Sequence, residues 1–233
     1  MNDNDILRVE YRFCQEDRCI FGYRLELDGE RLEPVADQST APDWARLDNQ
    51  RCPGCPLDAD RHPWCPAARA LAPLALCGSE LPSYAEIRLE VVTEERTVSA
   101  MTSLQRALSS LSGLLIATSG CPHTAFLKPM ARFHLPLASD LETVFRATAA
   151  YALAQYFLHR DGKPVDLDFS GLHARYARLH EINRCLARRL GAVCAQDAAV
   201  NGLVLLDTLA RSVPYTVSDS LAELQPLFLD YLE

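Results

Sequence analysis

Nine cysteines, four of them followed directly by proline, are the residues of this 233-residue chain whose type and spacing can do chemistry. Cys52, Cys55 and Cys65 fall in CPGCPLDADRHPWCP, and Cys121 falls in SGCPH. A Cys-x2-Cys turn brings two sulfurs to one side of the chain and lets backbone N–H groups point at them, as a metal–thiolate centre requires. Proline after each cysteine restricts the loop without removing the donors further along. Nine residues separate Cys55 from Cys65 and fifty-five separate Cys65 from Cys121, so three local ligands and one distant ligand would tie the loop to a remote part of the chain. Binding energy would then also be folding energy. The remaining cysteines lack the proline. Cys14 and Cys19 read as free thiols facing each other across a hairpin, and Cys77, Cys185 and Cys194 as small buried hydrophobes.

Four thiolates accept either a [4Fe–4S] cluster or Zn2+, and with zinc His62 or His123 can replace one sulfur. A metal-free set of thiols is the third alternative. The leading functional reading is a metal-binding protein that acts as a redox or metal sensor or as a module for an unidentified protein partner. Two alternatives stand beside it: an enzyme, and a scaffold stapled by structural zinc. The enzyme reading rests on SGCPHTAFLKPMARFHLP, which gathers His123, Lys128, Arg132 and His134 within twelve residues of a net-acidic chain. These four would form an anion pocket beside the metal, with histidine as the acid–base group. The plainer alternative is a solvated basic face with the histidines bonded to backbone carbonyls. His159, His173 and His180 lie on helical patterns with no third ligand in register.

The elements that must position these residues are legible from periodicity. Ile6 to Val35 alternates at period two, with an Asp28-Gly29 turn, and YAEIRLEVVTEERTVSA alternates again around Thr93 to Arg96. Two hairpins of one antiparallel sheet are expected, with the Cys-Pro loop, residues 51–66, as an excursion between them. PAARALAPLALCG is a short helix that Gly78 and Pro82 would end. From Thr102 the period becomes helical: Thr102 and Gln105 form a capping box, and Leu104, Leu108, Leu111 and Leu115 mark one face. Small residues on the other faces predict close packing on several sides. The helix should end at Ser119-Gly120 and so deliver Cys121. Pro129 and Pro136 punctuate the next segment. A second capping box, Ser139 with Glu142, opens LETVFRATAAYALAQYFLHR, which is apolar on most sides and expected to be central. Leu172, Tyr176, Leu179, Ile182, Leu186 and Leu190 share a face of the following helix, and two more helices are expected, the last capped by Ser218. The fold class is therefore α+β: a β-rich region over 1–101 and a bundle of about five helices over 102–233, expected to form one integrated unit.

Composition narrows the classes of function. With 48% hydrophobic residues the chain can bury a substantial core. Thirty-one acidic against 23 basic residues, a net charge of −8, oppose attraction to nucleic acid or anionic membranes. No run is long and apolar enough for a membrane span. The opening MNDNDILRVEYRF has no basic segment ahead of an apolar run, so a cytoplasmic location is expected. In a reducing compartment clustered cysteines hold metal more often than they form disulfides.

The segment CPGCPLDADRHPWCPAA resembles the iron–sulfur cluster loop of the endonuclease III and adenine-glycosylase type, in which Cys-x2-Cys-Pro-Leu precedes another cysteine and a small residue. That resemblance implies cluster ligation. It does not extend to glycosylase activity, because the gap to the last cysteine is longer here and no helix-hairpin-helix region is evident. The whole chain is also similar to an uncharacterised bacterial family, a domain of unknown function. That likeness rests on LDGERL, PDWARLDNQRCPGCPLDADRHPWCP, SSLSGLLIATSGCPHTAFLKPMARFHLP, AQYF and NGLVLLD, and it implies a single integrated architecture.

Overall fold

The computed structural model describes residues 6–16, 18–36, 40–76, 81–194 and 197–232, the side chains of 212–220 excepted, and among them are four strands and seven helices. β1 (Ile6–Gln15) and β2 (Arg18–Asp28) form the first hairpin; β3 (Glu86–Val92) and β4 (Thr97–Ser103) form the second. β1 pairs with β3, giving one antiparallel sheet in the order β2-β1-β3-β4. Alternation places Leu7, Val9, Tyr11 and Phe13 of β1 on the same buried face as Ile87, Leu89 and Val91 of β3. A register shift at Phe13/Cys14 sets Cys14 opposite Cys19, as expected of that pair.

Helix α1 (Pro66–Ala70) begins directly after Cys65, with Pro66 in the first turn, where its missing N–H is harmless. A 3-10 turn, Ala72–Leu76, continues it. The expected stop at Gly78, and Cys77 with it, lie outside the described residues. α2 (Leu104–Thr118) is buried along almost its whole length and packs on the sheet and on α6 (Ala198–Leu224). At Gly202 of α6, a Cβ would stand 3.1 Å from both the Cβ of Leu108 and the amide of Ser109, so the α2–α6 approach depends on glycine. α3 (Lys128–Arg132) is short, α4 (Asp140–Arg160) and α5 (Ser170–Gly191) are long, and α7 (Leu229–Leu232) closes the chain after a 3-10 turn. One core joins the sheet face to α1, α2, α5 and α6; a smaller one, around Val144, Leu172, Tyr176 and Leu179, lies under α4.

Three expectations about helices change. Thr102 belongs to β4 and makes no capping box with Gln105; the first amides of α2 are instead satisfied by the carbonyls of Ala85 and Ser83. The capping box of Ser139 and Glu142 is present, with Ser139 N donating to the Glu142 carboxylate at 2.7 Å. Yet α4 is peripheral rather than central. It buries Val144, Ala147, Thr148 and Gln155 and leaves Phe145, Leu153, Tyr156 and Phe157 exposed, because only one of its apolar faces meets another helix. The last two helices are one: α6 runs through Pro214 and Ser218. A proline removes one backbone bond and bends a helix without necessarily ending it when its first turns are anchored, and Ala198, Ala199 and Leu203 anchor these. Among the described residues no helix is long and apolar enough to cross a membrane.

Candidate metal centre

Gly54 sits at φ +63° between Pro53 and Cys55, and Cys55 N donates to Cys52 O at 3.2 Å. Proline followed by left-handed glycine makes a type II turn, the reason CPGC folds back on itself. Three outside groups clamp it: Arg178 Nη1 of α5 donates to Pro53 O at 3.0 Å, His123 Nε2 meets Gly54 O at 3.1 Å, and Arg51 Nη2 donates to the carbonyls of Cys55 and Leu57. The third loop cysteine is placed by a short antiparallel pairing. Leu47 N donates to Pro63 O at 2.9 Å and Cys65 N to Ala45 O at 2.8 Å, with the Arg46 guanidinium over the Trp64 ring. Cys65 is thereby buried at the start of α1.

Cys121 arrives from the other direction. α2 ends at Ser119, and Gly120 at φ +82° reverses the chain as expected. Thr124 N donates to Cys121 O at 3.1 Å and the Thr124 hydroxyl to Ile116 O at 2.9 Å, which fixes the turn and leaves the N–H groups of His123 and Thr124 as donors near the Cys121 sulfur. These donors favour a thiolate, while burial and the nearby Cys65 outweigh them and raise the thiol above its ordinary value. Cys52 is pushed up to about 12, first by burial and then by the thiols of Cys185 and Cys65, with Arg189 pulling it down. Cys185 thus lies beside Cys52, and Cys65 is near enough to influence both Cys52 and Cys121. Cys55 is half-buried against the same core. All eight described cysteines are free.

Cys185 is the residue that reading the sequence missed. It is buried on α5 as foreseen, but it adjoins Cys52 and receives Arg188 Nη2 at 3.2 Å. Arg189, one residue past Arg188, is wholly buried. Its Nη1 donates to Arg46 O at 2.8 Å and its Nη2 to Leu47 O at 3.3 Å, pinning the strand that leads into the cysteine loop. Its Nε has no partner, and among the described residues no carboxylate pairs with it. A signal was present: Ile182, Leu186 and Arg189 are spaced four and three apart, and so share the buried face with Cys185.

The remaining predicted residues are dispersed. His62 is exposed on the loop. Lys128 Nζ is engaged by Glu33 at 2.9 Å and Arg31 O at 2.6 Å, and His123 faces the cysteine turn. Arg132 and His134 line one small pocket against the sheet edge. His134 also bonds the Tyr11 hydroxyl, and burial, with Arg146 nearby, holds it down to about 3, so it is neutral. The four residues of the expected anion pocket thus occupy three separate places. His180 pairs with Asp207 of α6 at 2.8 Å. Among the described residues no three His, Cys, Asp or Glu side chains stand in an arrangement that could hold a metal ion. A family model described as a domain of unknown function, DUF6901, matches residues 9–229. No curated protein and no solved structure matches the chain.

Proposed function

The chain belongs to that family, whose description names no activity, and we propose from the site alone that it is a metal–thiolate protein. Cys52, Cys55, Cys65 and Cys121, joined by Cys185, supply the ligands for a [4Fe–4S] cluster or Zn2+ that fastens the Cys-Pro loop to the helical bundle. The observation that carries this reading is Arg189. A buried guanidinium without a counter-ion is costly by several kcal/mol. Four thiolates around Zn2+, or around a [4Fe–4S] core of charge two plus, leave two net negative charges beside it. The N–H groups of His123 and Thr124 near the Cys121 sulfur are of the kind that support a ligating thiolate. In this reading the sulfurs converge on loading by rotation about single χ1 bonds, each with three staggered wells.

Because the ligands come from the loop, from the end of α2 and from α5, the centre is a joint between segments distant in the chain. Loss of metal or oxidation of the thiols releases the loop and changes the surface presented to a partner, which is how a cytoplasmic metal or redox sensor would work. The test is metal and acid-labile sulfide analysis with visible spectra on protein purified without oxygen. Wild type retains iron with sulfide, or one equivalent of zinc, while Cys121→Ala loses it. Cys55→Ser decides which of Cys55 and Cys185 is the fourth ligand. A folded wild type with no bound metal would overturn the reading.

A further inference from the structure

A cleft of ≈ 160 Å³ opens among α2, the connector 127–138, α4, α5 and α6. Its walls are mostly apolar, with Leu114, Met130, Leu206 and Tyr176 among them. Three of its polar groups, Ser110, His134 and Arg146, lie near one another. The Tyr11 hydroxyl meets Ser110 Oγ at 3.0 Å and also His134 Nε2, and Leu137 N donates to Ser110 Oγ at 3.3 Å. Arg146, close enough to His134 to influence it, donates through Nη2 to Met130 O at 2.7 Å and Phe133 O at 2.8 Å. Both of these bonds use one nitrogen, which leaves Nη1 and Nε with donors to offer among the described residues.

The charges of this lining are one-sided. It contains Arg106 and Arg146 and no aspartate or glutamate, in a chain of net charge −8. Glu142, one turn from Arg146, is the nearest acid to influence it, and its carboxylate is taken by the amide and hydroxyl of Ser139. An apolar cleft of about 150 Å³ accommodates a molecule the size of benzene. A few polar groups at one end of such a cleft fix orientation. Arg106 is exposed and turned to Leu137 O, so Arg146 is the half-buried guanidinium of the lining, and one guanidinium matches one planar carboxylate.

We propose that this cleft binds a small amphipathic monocarboxylate, its apolar body of about six to eight carbons among Leu114, Met130, Leu206 and Tyr176 and its carboxylate on Arg146 beside Ser110. The assignment is independent of the thiol centre. Calorimetric titration of the full chain with phenylacetate and hexanoate tests it, against phenylacetamide and hexanamide as neutral counterparts of the same shape. The carboxylates bind saturably, the amides at least tenfold more weakly, and inorganic phosphate does not compete. Arg146→Gln weakens carboxylate binding at least tenfold. Because Arg146 also holds two carbonyls, Ala210→Leu provides the second variant: it fills the cleft, touches no polar group, and abolishes binding in a folded protein. Equal affinity for acid and amide, no saturable binding of either acid, or unchanged binding in folded Ala210→Leu overturns the proposal.

Discussion

Arg189 and Arg146 are both drawn inside without forming an ion pair with a described carboxylate, and each is held by two backbone carbonyls, yet their surroundings are opposite. Arg189 is wholly enclosed beside Cys52 and ties the Arg46–Leu47 strand to α5. Arg146 lines an open cleft with apolar walls and ties α4 to the connector before it. The carbonyls satisfy hydrogen bonds but leave most of the charge uncompensated. What adjoins a buried cation then indicates what anion can answer it. Beside Arg189 stands the thiol of Cys52, which under the proposed metal–thiolate reading would be part of a resident anion. Beside Arg146 there is accessible space, which suits an exchangeable one.

The largest effect that would break this comparison is at Arg189. Arg189→Met leaves two buried carbonyls unpartnered and should cost about 3 kcal/mol or more in loaded protein by urea denaturation. In metal-stripped protein the same substitution also removes an uncompensated charge, so the loss should be clearly smaller. Equal losses in both states would separate Arg189 from the centre. Arg146→Met removes the same number of carbonyl bonds in a more open place and should cost about 1–2 kcal/mol, unchanged by a chelator.

A pH effect sharpens the cleft side. His134 is held down to about 3 from the ordinary 6.5, so the native state keeps it neutral while the unfolded chain takes up a proton below 6.5. Its contribution to stability is complete above 6.5 and is lost as pH falls toward about 3, with a slope of up to about 1.4 kcal/mol per pH unit. His134→Asn should flatten that acid limb in denaturation measured from pH 7 to pH 4. The smallest expected effect is Lys128→Met. The Lys128–Glu33 pair is 25% and 48% exposed, so its loss should cost under about 1 kcal/mol and leave metal content unchanged. A large loss of metal there would restore Lys128 to the site from which its contacts remove it.

Much of this architecture was legible because period two and period 3.6 are written plainly in the chain. The two hairpins, their union in one sheet, the buried α2 and the left-handed Gly120 ahead of Cys121 all follow from alternation, leucine spacing and a helix stop. The sequence is less informative where a residue looks ordinary. Proline singled out Cys52, Cys55, Cys65 and Cys121, whereas Cys185 sits in a regular amphipathic helix with nothing beside it to announce a thiol neighbour. Arg189 stands in the run RCLARRLG, where helical phase alone distinguishes it from exposed neighbours. The reverse error occurred with the basic stretch after Cys121. Closeness in sequence made His123, Lys128, Arg132 and His134 look like one pocket, but α3 and its flanking turns point them in different directions. α4 misled for another reason, since a helix apolar all round is either central or carries a face that its own chain leaves bare, and composition is the same for both.

The central claim is that these thiols bind metal, and X-ray absorption at the edge of whichever metal copurifies tests it most directly. Protein prepared without oxygen should show a first shell of sulfur at about 2.3 Å, four sulfurs for zinc or an additional iron shell for a cluster, and Cys121→Ala should lose or alter that shell. A first shell of nitrogen and oxygen alone, or folded protein with no metal to measure, would contradict the account.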